Sequence, residues 1–189
     1  MEKGNDMKFL IASDLHGDLA AVKRLLTVFE EEKADRLVLL GDVLYHGPRN
    51  DLPTAYDPKG VIAALNAMKE RILAVRGNCD TEVDQMVLEF PILADYAVIP
   101  LPKGNLAYLT HGHRFHEEAP MPMGAEDVLL HGHTHVAGKT ACAGGQVCLN
   151  PGSVSMPKGG TPHGYMTLEN GVFEIKCLAD RSLYLRFEA

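Results

Sequence analysis

The sequence predicts an α/β chain whose core is a sandwich of two β-sheets with helices on its outer faces. Two observations carry that prediction. The first half alternates short apolar runs with segments of helical periodicity, as layered α/β folds do. The second half is rich in short strands, several of them joined by glycine turns.

In chain order, residues 8–13 (KFLIAS) form a short apolar run expected of a buried strand. Residues 19–31 carry Leu19, Val22, Leu25, Leu26 and Phe29 at helical spacing, with Asp18 placed as N-cap. Residues 36–40 (RLVLL) predict a second buried strand, and the polar, proline-containing stretch 45–57 a loop. Helical periodicity returns over residues 58–69, where Pro58 suits a first turn. A third strand is expected over residues 71–75 (RILAV), completing three strand–loop–helix passages. Further on, residues 105–110 and 127–130 each run into a His-Gly-His segment. Gly144-Gly145 and Asn170-Gly171 sit between apolar runs as hairpin turns, and residues 183–187 read as a last strand. No repeat, linker or low-complexity stretch divides the chain, so one domain is expected over residues 1–189, with 1–6 as a flexible polar tail.

Hydrophobic residues make up 46% of the chain, enough for a core and too many for a disordered segment. A net charge of −7 argues against a binder of long nucleic acid through a broad basic surface. A short oligonucleotide stays open as substrate, because bound cations can supply positive charge locally. Cys79, Cys142, Cys148 and Cys177 form no CxxC pair. Cys142 and Cys148 could face each other across a hairpin, but reduced thiols are expected for a cytoplasmic protein. No run approaches the ~20 apolar residues of a membrane span.

Seven residues able to bind metal follow predicted strands. They are Asp14 and His16 in DLHG, Asp42 in GDV, Asn78 in GNCD, His111 in THGH, and His133 with His135 in HGHTH. Open α/β sheets place their ligands at such strand ends. The donors are nitrogen and oxygen, a set that suits two divalent cations, and two such cations suit phosphoester hydrolysis. A carboxylate has lone pairs enough to bridge two ions, so counting Asp42 twice gives four protein contacts to each. Each piece alone has an ordinary reading, as a polar loop, a turn or a loop cap. Their order, each after an apolar strand, makes coincidence a poor explanation.

DLHG, GDV, GNCD, THGH and GHTH, followed by NPGS at residues 150–153, resemble the calcineurin-like metallophosphoesterase superfamily. The closer likeness, through GDVLYHGPRN and NPGSVSMPKGG, is to its small single-domain YfcE-type phosphodiesterase branch. The resemblance implies a four-layer fold, a β-sandwich flanked by helices. It implies Asp14, His16, Asp42 and His135 on one ion, and Asp42, Asn78, His111 and His133 on the other. Mn is the expected metal, with Fe, Zn, Ni and Co as alternatives, and a dimer or tetramer is common among such proteins.

Many superfamily members read GNHD where this chain reads GNCD. A thiol is a poorer proton donor than imidazolium at neutral pH, so good leaving groups, and diesters over monoesters, are expected. Cys79 then lines the substrate pocket, or is only a small filler. The expected reaction is in-line attack by a hydroxide bridging the two ions, with Asp42, Asn78, Cys79 and Asp80 as the catalytic set. Asp80 would orient a ligand or a neighbouring His, or else cap a loop. His46, Arg49 and Asn50 are candidate substrate contacts, Arg49 as a bidentate phosphate partner. His113 is either a leaving-group proton donor or, as favoured, a hydrogen-bonded bystander, and His116 and His163 are surface or structural. Two other functions stay open: a binding scaffold of the retromer-subunit type, and a phosphatase acting on dinucleotide polyphosphates, phosphoproteins or nucleic-acid ends.

Overall fold

The computed structural model describes residues 7–189, so the polar tail expected over residues 1–6 lies outside the described residues. The chain builds two mixed sheets. Strands β1 (Phe9–Ala12), β2 (Arg36–Leu39) and β3 (Ile72–Ala74) pair in parallel. Antiparallel strands β9 (Gly164–Glu169), β10 (Val172–Cys177) and β11 (Leu183–Glu188) continue that sheet from β1. The second sheet runs β4 (Ala97–Pro100), β5 (Leu106–Leu109), β6 (Val128–Leu130), β8 (Val147–Asn150), β7 (Gly138–Ala141), with β5, β6 and β8 parallel.

Alternation along the strands divides the core in two. In β1, Leu10 and Ala12 face helices α1 (Leu19–Glu31) and α2 (Pro58–Asn66), packing with Leu25, Phe29 and Leu65. Ile11 faces the other way, into the space between the sheets, with Val38, Leu109, Leu130 and Phe173. The helices start as the sequence indicates: Asp18 accepts from Ala21 N and Asp57 from Gly60 N.

The structure departs from the sequence reading in four places. The periodicity of residues 58–69 is not one helix, because α2 ends at Asn66 and a 3₁₀ turn follows over Lys69–Arg71. After β3 there is only a single helical turn, α3 (Glu82–Gln85), held by a capping box between Thr81 and Asp84. Strand β4 escaped notice: it is four residues long, lies at a sheet edge and ends in proline. The fourth is a correction to the expectation of reduced thiols, since Cys142 and Cys148 are joined by a disulfide. The hairpin of β7 and β8 sets Thr140 opposite Cys148, which brings the two cysteine Cα atoms to 5.9 Å, within bridging range. Cys79 and Cys177 are free. Among the described residues, no helix is long and apolar enough to cross a membrane.

Candidate metal centre

The parallel strands of both sheets deliver the seven candidate ligands to one place. Asp14 and His16 follow β1, Asp42 follows β2, Asn78 follows β3, His111 follows β5, and His133 with His135 follow β6. Asp14 Oδ1 lies 3.3 Å from His135 Nε2 and 3.6 Å from His16 Nε2. His16 Nε2 is 3.7 Å from Asp42 Oδ2, and that same oxygen is 3.4 Å from His111 Nε2. His111 Nε2 is in turn 3.0 Å from Asn78 Oδ1 and 3.2 Å from His133 Nδ1. Two groups of donors thus meet at one carboxylate oxygen, Asp42 Oδ2.

The imidazoles are oriented from behind. Nδ1 of His16, His111 and His135 donates to the carbonyls of Tyr45, Leu40 and Met156, at 2.7, 2.8 and 2.7 Å. A carbonyl only accepts, so each Nδ1 carries a proton, and a ring that gives up its second proton aims the Nε2 lone pair inward. His16 and His135 bring these nitrogens to 3.2 Å of each other, where two lone pairs need a proton or a cation between them. Asp14 Oδ1 is buried and accepts no hydrogen bond. A buried carboxylate oxygen without a partner, facing convergent nitrogens, is the environment a divalent cation completes, and the residues present fit divalent metal.

Backbone geometry at the site is unusual. Eight non-glycine residues among those described have positive φ, and five are candidate ligands: Asp14, His16, Asp42, His133 and His135. Left-handed backbone is costly for residues with a β-carbon and accumulates where function demands it. Asp80 pins two of these turns together. It is buried, and its carboxylate accepts from Asp42 N and Gly77 N at Oδ2 (2.9 and 2.7 Å) and from Val43 N at Oδ1 (2.9 Å). It does not line the cavity, and it holds Asp42 through the backbone.

The charges balance locally. Burial pushes the Asp14 carboxyl up, but contacts with His135 and His16 outweigh it and hold it well below the usual carboxylate range. Asp42 is lowered too, burial being opposed chiefly by His111. Burial pushes His111 down, yet the neighbouring Asp42 and Asp14 carboxylates carry it up to about 9. The two buried anions therefore recruit positive charge even from a histidine.

Residues 7–171 match the calcineurin-like phosphoesterase superfamily domain. The chain belongs to this superfamily. It is 48% identical over 178 residues to phosphodiesterase YfcE of Escherichia coli K12, covering 94% of this chain and 95% of that protein. The solved structure of the E. coli phosphoesterase YfcE superposes with a TM-score of 0.91 at 46% identity, covering 96% of this chain and 99% of the other. A phosphodiesterase of Methanocaldococcus jannaschii is 25% identical over 138 residues, 68% of this chain and 74% of the relative.

On this superfamily's scaffold the centre opens into a cavity of about 350 Å³ lined by Asp42, Asn78, His133 and His135, and by loop residues Arg49 and Asn50. Cys79 also lines it. Burial, then the charge of Asp42, pushes its thiol up to about 12, so it is a neutral thiol at pH 7. Its sulfur packs beneath Gly47, where a β-carbon would come within 3.2 Å, so a small residue at 79 lets the loop close down. Of the expected substrate contacts, Arg49 and Asn50 are at the cavity and His46 is not. The His46 ring packs edge-on against Tyr45 and Tyr56, and its carbonyl accepts from Asn50 Nδ2 at 2.8 Å. His113 is exposed beside His111, with ring centroids 5.4 Å apart. His163 Nδ1 donates to the Val154 carbonyl, a structural contact. Three residues escaped the sequence reading: Lys158 and Thr134 on the cavity wall, and His131, buried with Nε2 3.4 Å from Glu117 Oε2. NPGSVSMPKGG, the segment that carries Lys158, was part of the family likeness, but no charge pattern singled the lysine out.

Proposed function

We propose that this chain is a metal-dependent phosphodiesterase working with two divalent cations, Mn²⁺ first and Fe, Zn, Ni or Co as alternatives. The observation that carries the reading is the pair of donor groups meeting at Asp42 Oδ2, with Asp14 Oδ1 lacking a hydrogen-bond partner. The names of the E. coli and archaeal relatives support a diester as substrate. Asp14, His16, His135 and Asp42 would hold one cation, and Asp42, Asn78, His111 and His133 the other. Held by these residues, divalent cations would supply Lewis acidity toward water and phosphoryl oxygens.

The protein's own residues do the rest. Backbone carbonyls fix three imidazoles as neutral ligands, and Asp80 fixes the Asp42 turn. Arg49 and Asn50 line the cavity and would face the substrate. Cys79 keeps its proton at neutral pH and is a weak acid, so the leaving group must depart with little protonation, which favours aryl and other acidic alcohols. No side chain is required as nucleophile.

Purified protein should hydrolyse bis(p-nitrophenyl) phosphate with added Mn²⁺ and stop with excess chelator. Calorimetric titration should give two Mn²⁺ per chain, and Asp42→Ala at most one, with turnover down by at least about 10³-fold. An Asp42→Ala variant that loads two ions and turns over normally would end this reading.

A further inference from the structure

The rim of the cavity carries positive charge that the centre itself does not use. In a chain of net charge −7, Arg49 and Lys158 both line the cavity. Among the described residues neither has a carboxylate partner, and the one hydrogen bond of the Lys158 ammonium is to Asn50 Oδ1, at 3.3 Å. That bond uses one of three ammonium donors, and the Arg49 guanidinium has five.

These cations come from two loops: the Tyr45 carbonyl, which accepts from His16 Nδ1, ties the first to the centre, and the His135 carbonyl ties the second. Lys158 N donates to the carbonyl of His135 (2.9 Å), and its own carbonyl accepts from Thr161 N (3.1 Å) and Thr161 Oγ1 (2.9 Å). Asn50 is tied to His46 O and Gly47 O. A second groove of about 570 Å³ runs away over Leu52, Pro53 and Met156, and it shares Arg49, Asn50 and Lys158 with the metal cavity. Asp18 and Asp51 also line this groove; its two cations, Arg49 and Lys158, are on residues it shares with the metal cavity.

A phosphodiester carries one negative charge, and the cations of the centre already meet it. We propose that Arg49 and Lys158 form a second anion subsite, which binds a phosphate carried on the organic arm of the diester, with that arm lying in the adjoining groove. The preferred substrate class is then a phosphodiester bearing an additional phosphate. This rests on the diesterase reading above.

The test uses a matched pair, the p-nitrophenyl esters of thymidine 5′-phosphate with and without a 3′-phosphate. Both react at the same kind of phosphorus and release the same phenolate. The 3′-phosphorylated ester should have a kcat/KM about 10-fold higher, mostly through KM, as expected for an exposed charge-assisted contact. That ratio should shrink with added salt. Lys158→Ala and Arg49→Ala should each cut the ratio about 3-fold or more, and Lys158→Arg should restore most of it. Calorimetry on the metal-loaded protein should show thymidine 3′,5′-bisphosphate binding more tightly than the 5′-monophosphate, with the same response to Lys158→Ala. A ratio near one in the unmodified protein, or equal losses on both esters in the variants, overturns the subsite. If neither ester is turned over, the diesterase reading fails, and the binding ratio still decides the subsite.

Discussion

Asp80→Asn tests how the centre is built. The carboxylate satisfies three buried backbone donors, two at Oδ2 and one at Oδ1. An amide offers one acceptor oxygen. Its better orientation keeps that oxygen on Asp42 N and Gly77 N and turns the NH₂ toward Val43 N–H, setting donor against donor. One buried donor without a partner costs about 1–3 kcal/mol, and the two surviving bonds weaken because the acceptor is no longer charged. An opposing effect tempers this: burial holds the Asp80 carboxyl above its ordinary pKa, so its charge is itself unfavourable in the folded state. We expect a net loss of about 2–4 kcal/mol, which for a chain of this length lowers Tm by about 5–12 °C. Calorimetric unfolding of chelated protein measures this, and Mn²⁺ titration should show weakened binding, since the Asp42 turn loosens. A Tm within about 1 °C of the unmodified protein would refute the assignment of Asp80 as the clamp between the β2 and β3 turns.

Gly77→Ala should cost both metal binding and stability, because a β-carbon there collides with the Asp42 carboxylate and backbone nitrogen; tight Mn²⁺ binding in this variant would contradict it. Away from the centre, Glu32 accepts from Tyr165 Oη, Lys8 Nζ and Lys176 Nζ, which together overcome burial and hold its carboxyl at about 2 instead of 4.5. A depressed carboxylate stabilises above its unfolded pKa, so stability should fall as pH drops from about 4.5 to about 2. Glu32→Gln should flatten that fall in denaturant titrations at several pH values. Reducing the Cys142–Cys148 bridge, which closes a short loop, should cost about 2 kcal/mol, and thiol counting should rise from two to four per chain.

The candidate ligands could be found in the sequence because each stands just after an apolar run, and strand ends converge in layered sheets. What made them a site could not be found there. The carbonyls of Leu40 and Met156 that orient His111 and His135 come from residues 71 and 21 positions away, chosen by sheet order and not by local pattern. NPGS was recognisable as a motif, yet its work is non-local: Ser153 Oγ donates to Asp14 O at 2.8 Å, and Asn150 Nδ2 donates to Gly132 O at 2.9 Å. Asp80 could be read as orienting a ligand or a histidine, or as a loop cap; sequence shows the charge and hides the three amides through which it holds the Asp42 turn. The disulfide was misread from compartment, whereas hairpin register decides whether two sulfurs meet. The 3₁₀ ending of α2 was hidden because residues at helical spacing continue past the point where the backbone tightens.

The five left-handed ligands explain why such a centre needs so much support. Each disfavoured conformation costs about 1–2 kcal/mol, a large toll against the marginal stability of a domain. Cross-loop bonds such as Asp14 N to Gly41 O (3.1 Å) and His16 N to Asp42 O (2.9 Å) hold the turns in place, and the two cores stabilise the sheets they spring from. Asp14 Oδ1 has no hydrogen bond and only the nearby His135 and His16 rings to offset its charge, and only a shared proton could relieve the facing nitrogens of those rings. Cations would turn these unfavourable contacts into bonds, so binding and folding must be linked. Saturating Mn²⁺ should therefore raise Tm well beyond what the same ionic strength of Na⁺ does. The residues that weaken the chain alone are the ones the chemistry requires.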